Sequence, residues 1–429
     1  MVTRRTTWVL SFCIFVVTLV AYPNRWNSSQ HLSRVGIESL QLGRSLALQG
    51  TFSNPFATLP TGPSAHTAPG YPGIVAAVIK VYGTGAEASS ALQWITRVVL
   101  ASQLALLPFL AEYFGLVPIA GAIAAAAWLV AQFPLLLWEN DFAGLLIVVL
   151  AFPMYKSFRA ALSPAEIAYT GALWAVLLLL TPTPVFVLAA WLLALLFVGP
   201  QSKSAAVMLG FITVLLISPW LVRNYRVFHQ PVFMRDNLGL ELAVSNNPCA
   251  EFSMARNLER DGCFSRNHPN ESLAEALRVA DMGEANYNKA RLHEAAQWIG
   301  QNRSRFWLLT AERSTAFWYS NDASGLPFMS EVRRQQWILN AFTLLSIPGM
   351  LLLWKRERYA AVVVGMWLLF FPPIYYLLQY DPRYRHPIFW ATLLPGAYAL
   401  TAITSAATEK WSPNREASNA LSSEKLPSK

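Results

Sequence analysis

Four stretches of the 429-residue sequence bring together side chains that could do chemistry. The first centres on Glu38. Arg34, Glu38, Gln41 and Ser45 recur at helical spacing while Val35, Leu42 and Leu46 line another face, which predicts an amphipathic helix near a membrane surface, ended by Gly50. A carboxylate held there can accept a proton from a nucleophile. Read from periodicity alone, Glu38 is the i,i+4 partner of Arg34, a surface ion pair worth little. The second stretch holds Phe52-Ser-Asn-Pro-Phe56, Thr61-Gly-Pro-Ser-Ala-His66 and Ala68-Pro-Gly-Tyr-Pro72. Its Gly and Pro content predicts a rigid, turn-rich loop, suited either to positioning a ligand or to capping a helix bundle.

The third stretch, Trp138-Glu-Asn-Asp141, lies between two apolar runs. It offers two carboxylates, which a solvated turn would equally explain. The Glu-x-Asp spacing is superficially that of soluble nucleotide-sugar transferases, but their donors are cytoplasmic and this pair is expected to face outward, so the analogy fails. The fourth stretch is Asp381-Pro-Arg-Tyr-Arg-His386. Its guanidinium groups offer planar, bidentate donors suited to phosphate, and contact with lipid head groups is the plainer account. Arg383 and Arg385 run against the charge bias of the other short loops, which tips the reading towards a function.

The elements that must hold these groups are helices in a membrane. The chain is 54% hydrophobic and 13% charged, with a mean hydropathy of +0.35, against about 25% charged residues in soluble domains. Aromatic residues make 13%, as expected of belts at membrane–water interfaces. Apolar runs extend over Trp8 to Tyr22, Leu92 to Tyr113, Leu116 to Leu137, Phe142 to Tyr155, Ala165 to Leu180, Pro184 to Val198 and Ala205 to Val222. Three more cover Trp337 to Trp354, Tyr359 to Leu378 and Ile388 to Ser405. The fold class read from them is an all-α polytopic bundle of about ten transmembrane helices with an extracytoplasmic, mainly helical domain. The net charge of +9 is scattered between apolar runs and makes no stripe or basic helix of the kind that binds nucleic acid.

Arg4 and Arg5, then Lys156 and Arg159, Lys203, and Lys355, Arg356 and Arg358 set the orientation by the positive-inside rule, with both termini cytoplasmic. The parity requires Pro69 to Tyr82 to be re-entrant or interfacial. The expected organisation is a first helix over 1–22, read as an uncleaved anchor, an outer loop over 23–85, and a bundle over 86–222. An extracytoplasmic domain over 223–336 and further spans over 337–405 follow, then a polar tail over 406–429 whose composition reads as disordered. Within the outer domain, Ser272-Leu-Ala-Glu275 is a capping box opening a helix through Ala290 to Trp298, and a second helix is expected from Arg305 to Tyr319. Cys249 and Cys263 share that segment, and an outward location predicts a disulfide, whereas Cys13 reads as a small hydrophobe in a span.

Other signals are absent. His293-Glu294 begins a zinc-protease motif, but position five is Gln297, so the motif fails. The six histidines show no ligand spacing, and no metal or other cofactor is called for, although a divalent cation is left open. Asn27, Asn270 and Asn302 head Asn-x-Ser triplets, which matter only in a glycosylating compartment.

The order of the motifs is more specific than any one of them. Glu38, the Gly/Pro-rich loop and the second acidic stretch are followed by Pro219-Trp-Leu-Val-Arg-Asn-Tyr225, Arg235-Asp-Asn-Leu-Gly-Leu-Glu241 and Arg383-Tyr-Arg-His-Pro387. Over nearly the whole chain this succession resembles the GT-C glycosyltransferases, in particular bacterial members similar to protein mannosyltransferases and to transferases that decorate lipopolysaccharide. The resemblance implies a sugar taken from a polyprenyl phosphate at the outer face of a bacterial inner membrane and passed, with inversion, to a lipid, glycan or protein acceptor. It implies Glu38 as the catalytic base and either Glu139 or Asp141 as the second acidic site. Lys80, Arg383 and Arg385 are implied for the donor phosphate, with Tyr71 packed nearby, and His66 and His386 are further candidates. A transporter or flippase of lipid-linked sugars is the competing reading, weakened because charges are nearly absent from span centres and paired broken spans are missing. A lipid-glycan polymerase or ligase also fits the architecture.

Overall fold

The computed structural model describes residues 4–21, 37–131, 138–198, 200, 203–259, 262–319 and 336–410. Among them the elements are helical, with isolated bridges joining Ser53 to Pro63 and Ser253 to Tyr380. The first half contains α1 (Arg4–Ala21), α2 (Glu38–Gln49), α3 (Gly70–Tyr82), α4 (Ala86–Ala105), α5 (Leu107–Tyr113), α6 (Pro118–Ala131), α7 (Asn140–Arg159), α8 (Pro164–Leu180), α9 (Val185–Phe197) and α10 (Lys203–Phe228). A group of shorter helices follows: α11 (Leu238–Ser245), α12 (Met254–Asn257), α13 (Cys263–Asn267), α14 (Leu273–Met282), α15 (Glu284–Gln301) and α16 (Arg303–Trp318). The chain returns through α17 (Gln336–Arg356), α18 (Arg358–Phe370), α19 (Pro373–Tyr376), two 3-10 turns over Pro382–Tyr384 and His386–Ile388, and α20 (Trp390–Lys410).

Six of the described helices are long and apolar enough to cross a membrane, or seven if the bent pair Pro382–Ile388 and Trp390–Thr404 counts as one span. The chain is therefore a multi-pass membrane protein. Four more apolar helices, α3, α6, α8 and α9, are shorter than 18 residues. The span expected over Leu92 to Tyr113 divides at Leu106 into α4 and α5, where Pro108 cannot continue the backbone ladder.

Lipid offers no hydrophobic drive for helices to pair, so close packing must do it. Small residues provide the approach: at Gly349 of α17 a Cβ would fall 2.0 Å from the Pro395 carbonyl oxygen of α20. The buried indole of Trp174 stacks on Trp191 and Trp367, with centroids 6.0 and 5.7 Å away, tying α8, α9 and α18 together. One end of the bundle is closed by direct ion pairs, Lys156 to Glu166 at 2.5 Å and Arg159 to Glu357 at 2.6 Å.

At the other end lie α2, the loop over 50–69 and the shorter helices. Ala and Leu at 40, 42 and 76 and Val75 are buried there, and Gly43 lets α2 lie against α3, since a Cβ would meet Val75 Cγ1 at 2.5 Å. The shorter helices have their own core of Leu240, Val244, Phe264, Val279 and Tyr287, joined by Phe56 from the loop. The helix expected from Ser272 to Trp298 is corrected: it breaks at Gly283, whose φ of 76° suits glycine alone at low cost. Ser272 does cap α14 by accepting the Glu275 N–H at 3.3 Å. The second expected helix is observed as Arg303–Trp318. The polar tail beyond residue 410, Asn27 and Arg34 lie outside the described residues.

Candidate active site

Glu38 occupies the first position of α2, where the positive end of the helix dipole faces its carboxylate. Its side chain is 18% exposed, so an incoming group can reach it. Around it stand groups from four other segments. The unit of shorter helices contributes Asn270, whose Nδ2 donates to Glu38 Oε1, and His268, whose Nε2 lies 3.9 Å from the same oxygen. The loop contributes His66. Arg235, Glu241 and Arg383 act on Glu38 through their charge. Burial outweighs all of these and pushes the Glu38 carboxyl up to about 7, with the two arginines opposing and Glu241 adding to the rise. Burial likewise holds His268 down at about 3, aided by Arg291 and Arg383, and keeps His66 well below the usual histidine range, aided by Arg235 and His268. Both imidazoles are thus neutral beside an acid poised near neutrality.

Glu38, His66 and His268 have ligand atoms all within 4.8 Å of one another, which invites a cation. The hydrogen bonds argue otherwise. His268 Nδ1 accepts the backbone N–H of Asn270 at 3.1 Å, so its proton sits on Nε2, facing Glu38. A metal-bound histidine has the reverse arrangement, with its remote nitrogen donating. Held this way, His268 does not fit a metal ion at Nε2.

Arg383 and Arg385, two residues apart, have opposite surroundings. Arg383 lies with its guanidinium 4.1 Å from the Trp138 ring centroid and 3.7 Å from Asp381, 17% exposed. Its turn is fixed by Asp381, which accepts the Arg383 N–H at 2.9 Å, and by Asn140 Nδ2, which donates to the Arg383 carbonyl at 2.9 Å. Arg385 is buried: it donates to the Trp318 carbonyl at 2.8 Å and to the hydroxyls of Thr343 at 2.5 Å and Thr392 at 2.9 Å. These bonds direct the terminal guanidinium nitrogens of Arg385 to α16, α17 and α20.

The acidic stretch also divides. Glu139 Oε1 lies 3.6 Å from Arg235, which donates through Nε to the His66 carbonyl at 3.2 Å. Asp141 is wholly buried, 3.6 Å from His386 Nε2, and His386 is walled in by Trp128 and Phe389. Tyr71 is buried at the start of α3 against Phe142, with ring centroids 5.6 Å apart. Lys80 is not gathered with these groups: it is exposed on α3, two and a half turns beyond Tyr71. Cys249 and Cys263 are disulfide-bonded, with Cα atoms 5.5 Å apart. Arg235, Glu241, His268 and Asn270 were not singled out by the sequence as site residues. Arg235 and Glu241 bound one of the motifs that carry the resemblance, and the polar lead His268-Pro269-Asn270 precedes the capped helix. A separate cavity of about 480 Å³, lined by Phe252, Arg256, Glu312 and Tyr319, holds none of the expected site residues.

No family model matches the sequence, and no curated protein matches it. Solved structures do match by shape. The oligosaccharyltransferase of Archaeoglobus fulgidus tethered to an acceptor peptide containing the NVT sequon aligns at a TM-score of 0.53 and 13% identity, over 94% of this chain and 50% of that one. Its apo form aligns at 0.51 and 14%, over all of this chain and 53% of that one. ArnT from Cupriavidus metallidurans bound to undecaprenyl phosphate aligns over 95% of this chain and 80% of that one at 12% identity, with a TM-score of 0.39 on which nothing here rests. The chain spans about half the length of the archaeal structures it matches. The archaeal likeness concerns the fold, and the fold is the expected GT-C one.

Proposed function

We propose that the chain is a membrane glycosyltransferase that moves a hexosyl or pentosyl group from a polyprenyl-phosphate donor to a lipid, glycan or protein acceptor, with inversion. The observation that carries this reading is the reachable Glu38 carboxyl, raised to about 7, in one cluster with the guanidinium groups of Arg235 and Arg383. A base works best when its pKa lies near the working pH. The GT-C resemblance of the motifs supports a lipid-linked donor.

In this reading the acceptor hydroxyl approaches Glu38 and its oxygen attacks the anomeric carbon of the donor. Glu38 takes the hydroxyl proton as the new C–O bond forms. The bond from the anomeric carbon to the phosphate oxygen breaks, and its electron pair leaves with the polyprenyl phosphate. Arg383, oriented by Asp381 and Trp138, and Arg235, held by Glu139 and the His66 carbonyl, stabilise the charge that grows on the departing phosphate. Tyr71 packs at the edge of this site, and Arg385 and the Asp141–His386 pair brace the turns that present it. No metal-dependent step is assigned to Glu38, His66 and His268.

The topology belongs to the same proposal: about ten spans, with α6, α8, α9 and the bent pair added to the six long helices, and α3 re-entrant. Residues 1–22, 86–222 and 337–405 would supply the bundle, 23–85 and 223–336 the outer side of a bacterial inner membrane, and 406–429 a cytoplasmic tail. Incubation of the purified protein with a panel of polyprenyl-phosphate sugars tests the function. Release of polyprenyl phosphate dependent on Glu38 is expected; donors that are moved across vesicles without cleavage would support the transporter reading instead.

A further inference from the structure

Two side chains that the reaction above does not use meet the Glu38 carboxylate from the outer helical unit. We propose that His268 and Asn270 are a positioning pair that grips Glu38 through Oε1 and leaves its other oxygen to the acceptor. The inference rests on reading Glu38 as the base.

The orientation of both side chains is fixed by hydrogen bonds on their far sides. Asn270 Oδ1 accepts the Ala57 N–H at 3.3 Å, so its NH₂ end must face the carboxylate. His268 Nδ1 accepts the Asn270 N–H at 3.1 Å, so the ring presents N–H at Nε2, 3.9 Å from Glu38 Oε1. That distance is too long for a hydrogen bond and is one that closes when the carboxylate bears its full charge.

The grip is itself anchored. Thr58 Oγ1 donates to the Pro269 carbonyl at 2.5 Å, locking the loop to the pair. The His268 ring stacks on Phe264 at 4.4 Å and meets Phe56 edge-on at 6.0 Å. Phe264 belongs to α13, which begins at Cys263 and ends just before His268. The Cys249–Cys263 bridge thus pins the short helix that carries the stacked ring. The outer unit would thereby complete the site, since a carboxylate on α2 takes its geometry from residues more than 200 positions away.

Hydrogen bonds to the ionised form of a carboxylate favour that form, so losing a donor moves Glu38 to a higher pKa. Other groups also face Glu38: Arg235 from the loop before α11, Glu241 from α11, Arg383 from the 3-10 turn and neutral His66. All of them remain in the variants below.

The test is an infrared pH titration of the purified full chain, with the Glu38 carboxyl band assigned by its loss in Glu38→Gln. Asn270→Leu and His268→Phe should each move the band's midpoint to higher pH. Each should also lower kcat about 10- to 100-fold without raising the KM for whichever polyprenyl-phosphate sugar the panel identifies. His268→Gln, which restores an N–H, should recover part of the loss. If Asn270→Leu does not fold, His268→Phe decides, because it keeps the ring stack. An unmoved midpoint beside an inactive Glu38→Gln enzyme would overturn the positioning pair and leave the base reading intact. A Glu38→Gln enzyme with wild-type turnover would remove the base reading and the pair's catalytic purpose with it, whatever the midpoint does.

Discussion

Glu38 and Asp141 are both acidic residues in the first turn of a helix, and the molecule treats them differently. Glu38 keeps 18% of its side chain in reach of solvent and faces an amide, an imidazole and the fields of two arginines. Asp141 has none of its surface exposed and lies against His386, whose ring packs on Trp128 and Phe389. The same division recurs between Arg383, stacked on Trp138 at the site, and Arg385, tied into the bundle. Chemistry needs a group that is desolvated enough to be tuned yet open enough to be touched. Only the first member of each pair meets both conditions; the second is built to hold its neighbour still.

The largest expected effect separates the two acids. Glu38→Gln keeps the shape and removes the proton acceptor, so transfer should fall about 10²- to 10⁴-fold while polyprenyl-phosphate binding survives. Asp141→Asn should leave turnover of the folded enzyme within about tenfold and lower thermal stability by about 1–3 kcal/mol. Equal losses of turnover in both would erase the distinction. A smaller contrast is expected within the basic turn. Arg383→Ala should raise the donor KM with little change in melting temperature, and Arg383→Lys should rescue part of the loss. Arg385→Ala should mainly lower the melting temperature, because it orphans buried oxygens on three helices. Donor binding unchanged in Arg383→Ala would remove it from the phosphate site.

A weaker effect sharpens the comparison through pH. Burial raises Glu284 to about 8, against hydrogen bonds from Ser64 and Ala65, and Glu38 to about 7. The folded state therefore holds protons that the unfolded chain releases near 4.5, and this contribution to stability is lost as pH rises through 7 and 8. His66 and His268 act in the opposite sense, since the unfolded chain gains protons below 6.5 that the fold refuses. Above pH 6.5 the carboxyl slope stands alone, so the melting temperature should fall from pH 6.5 to 8. Glu284→Gln should flatten that slope, and an unchanged slope would contradict the assignment.

Much of the scaffold was legible because lipid forces long apolar runs, and α7, α8, α9 and α18 lie on expected runs. The helix that carries Glu38, and its end at Gly50, were legible through the amphipathic pattern. The break at Gly283 was not read, although a glycine between two helical stretches carries that possibility. The meeting of Asn270 with Glu38 could not be read from the sequence, for it spans 232 positions and no local spacing encodes it. The partners of Arg385 were hidden for a related reason: the charge bias revealed an unusual arginine, while only the packing of α16, α17 and α20 reveals where its donors go.

The most direct measurement is the single-turnover transfer rate at saturating donor as a function of pH, for the wild type and Glu38→Gln. The account predicts a wild-type rate that rises with pH and levels off near 7, where burial sets the Glu38 carboxyl, and a variant rate that is low and flat across the same range. A well-folded Glu38→Gln enzyme that transfers sugar near the wild-type rate, or keeps the same rising limb, would contradict it.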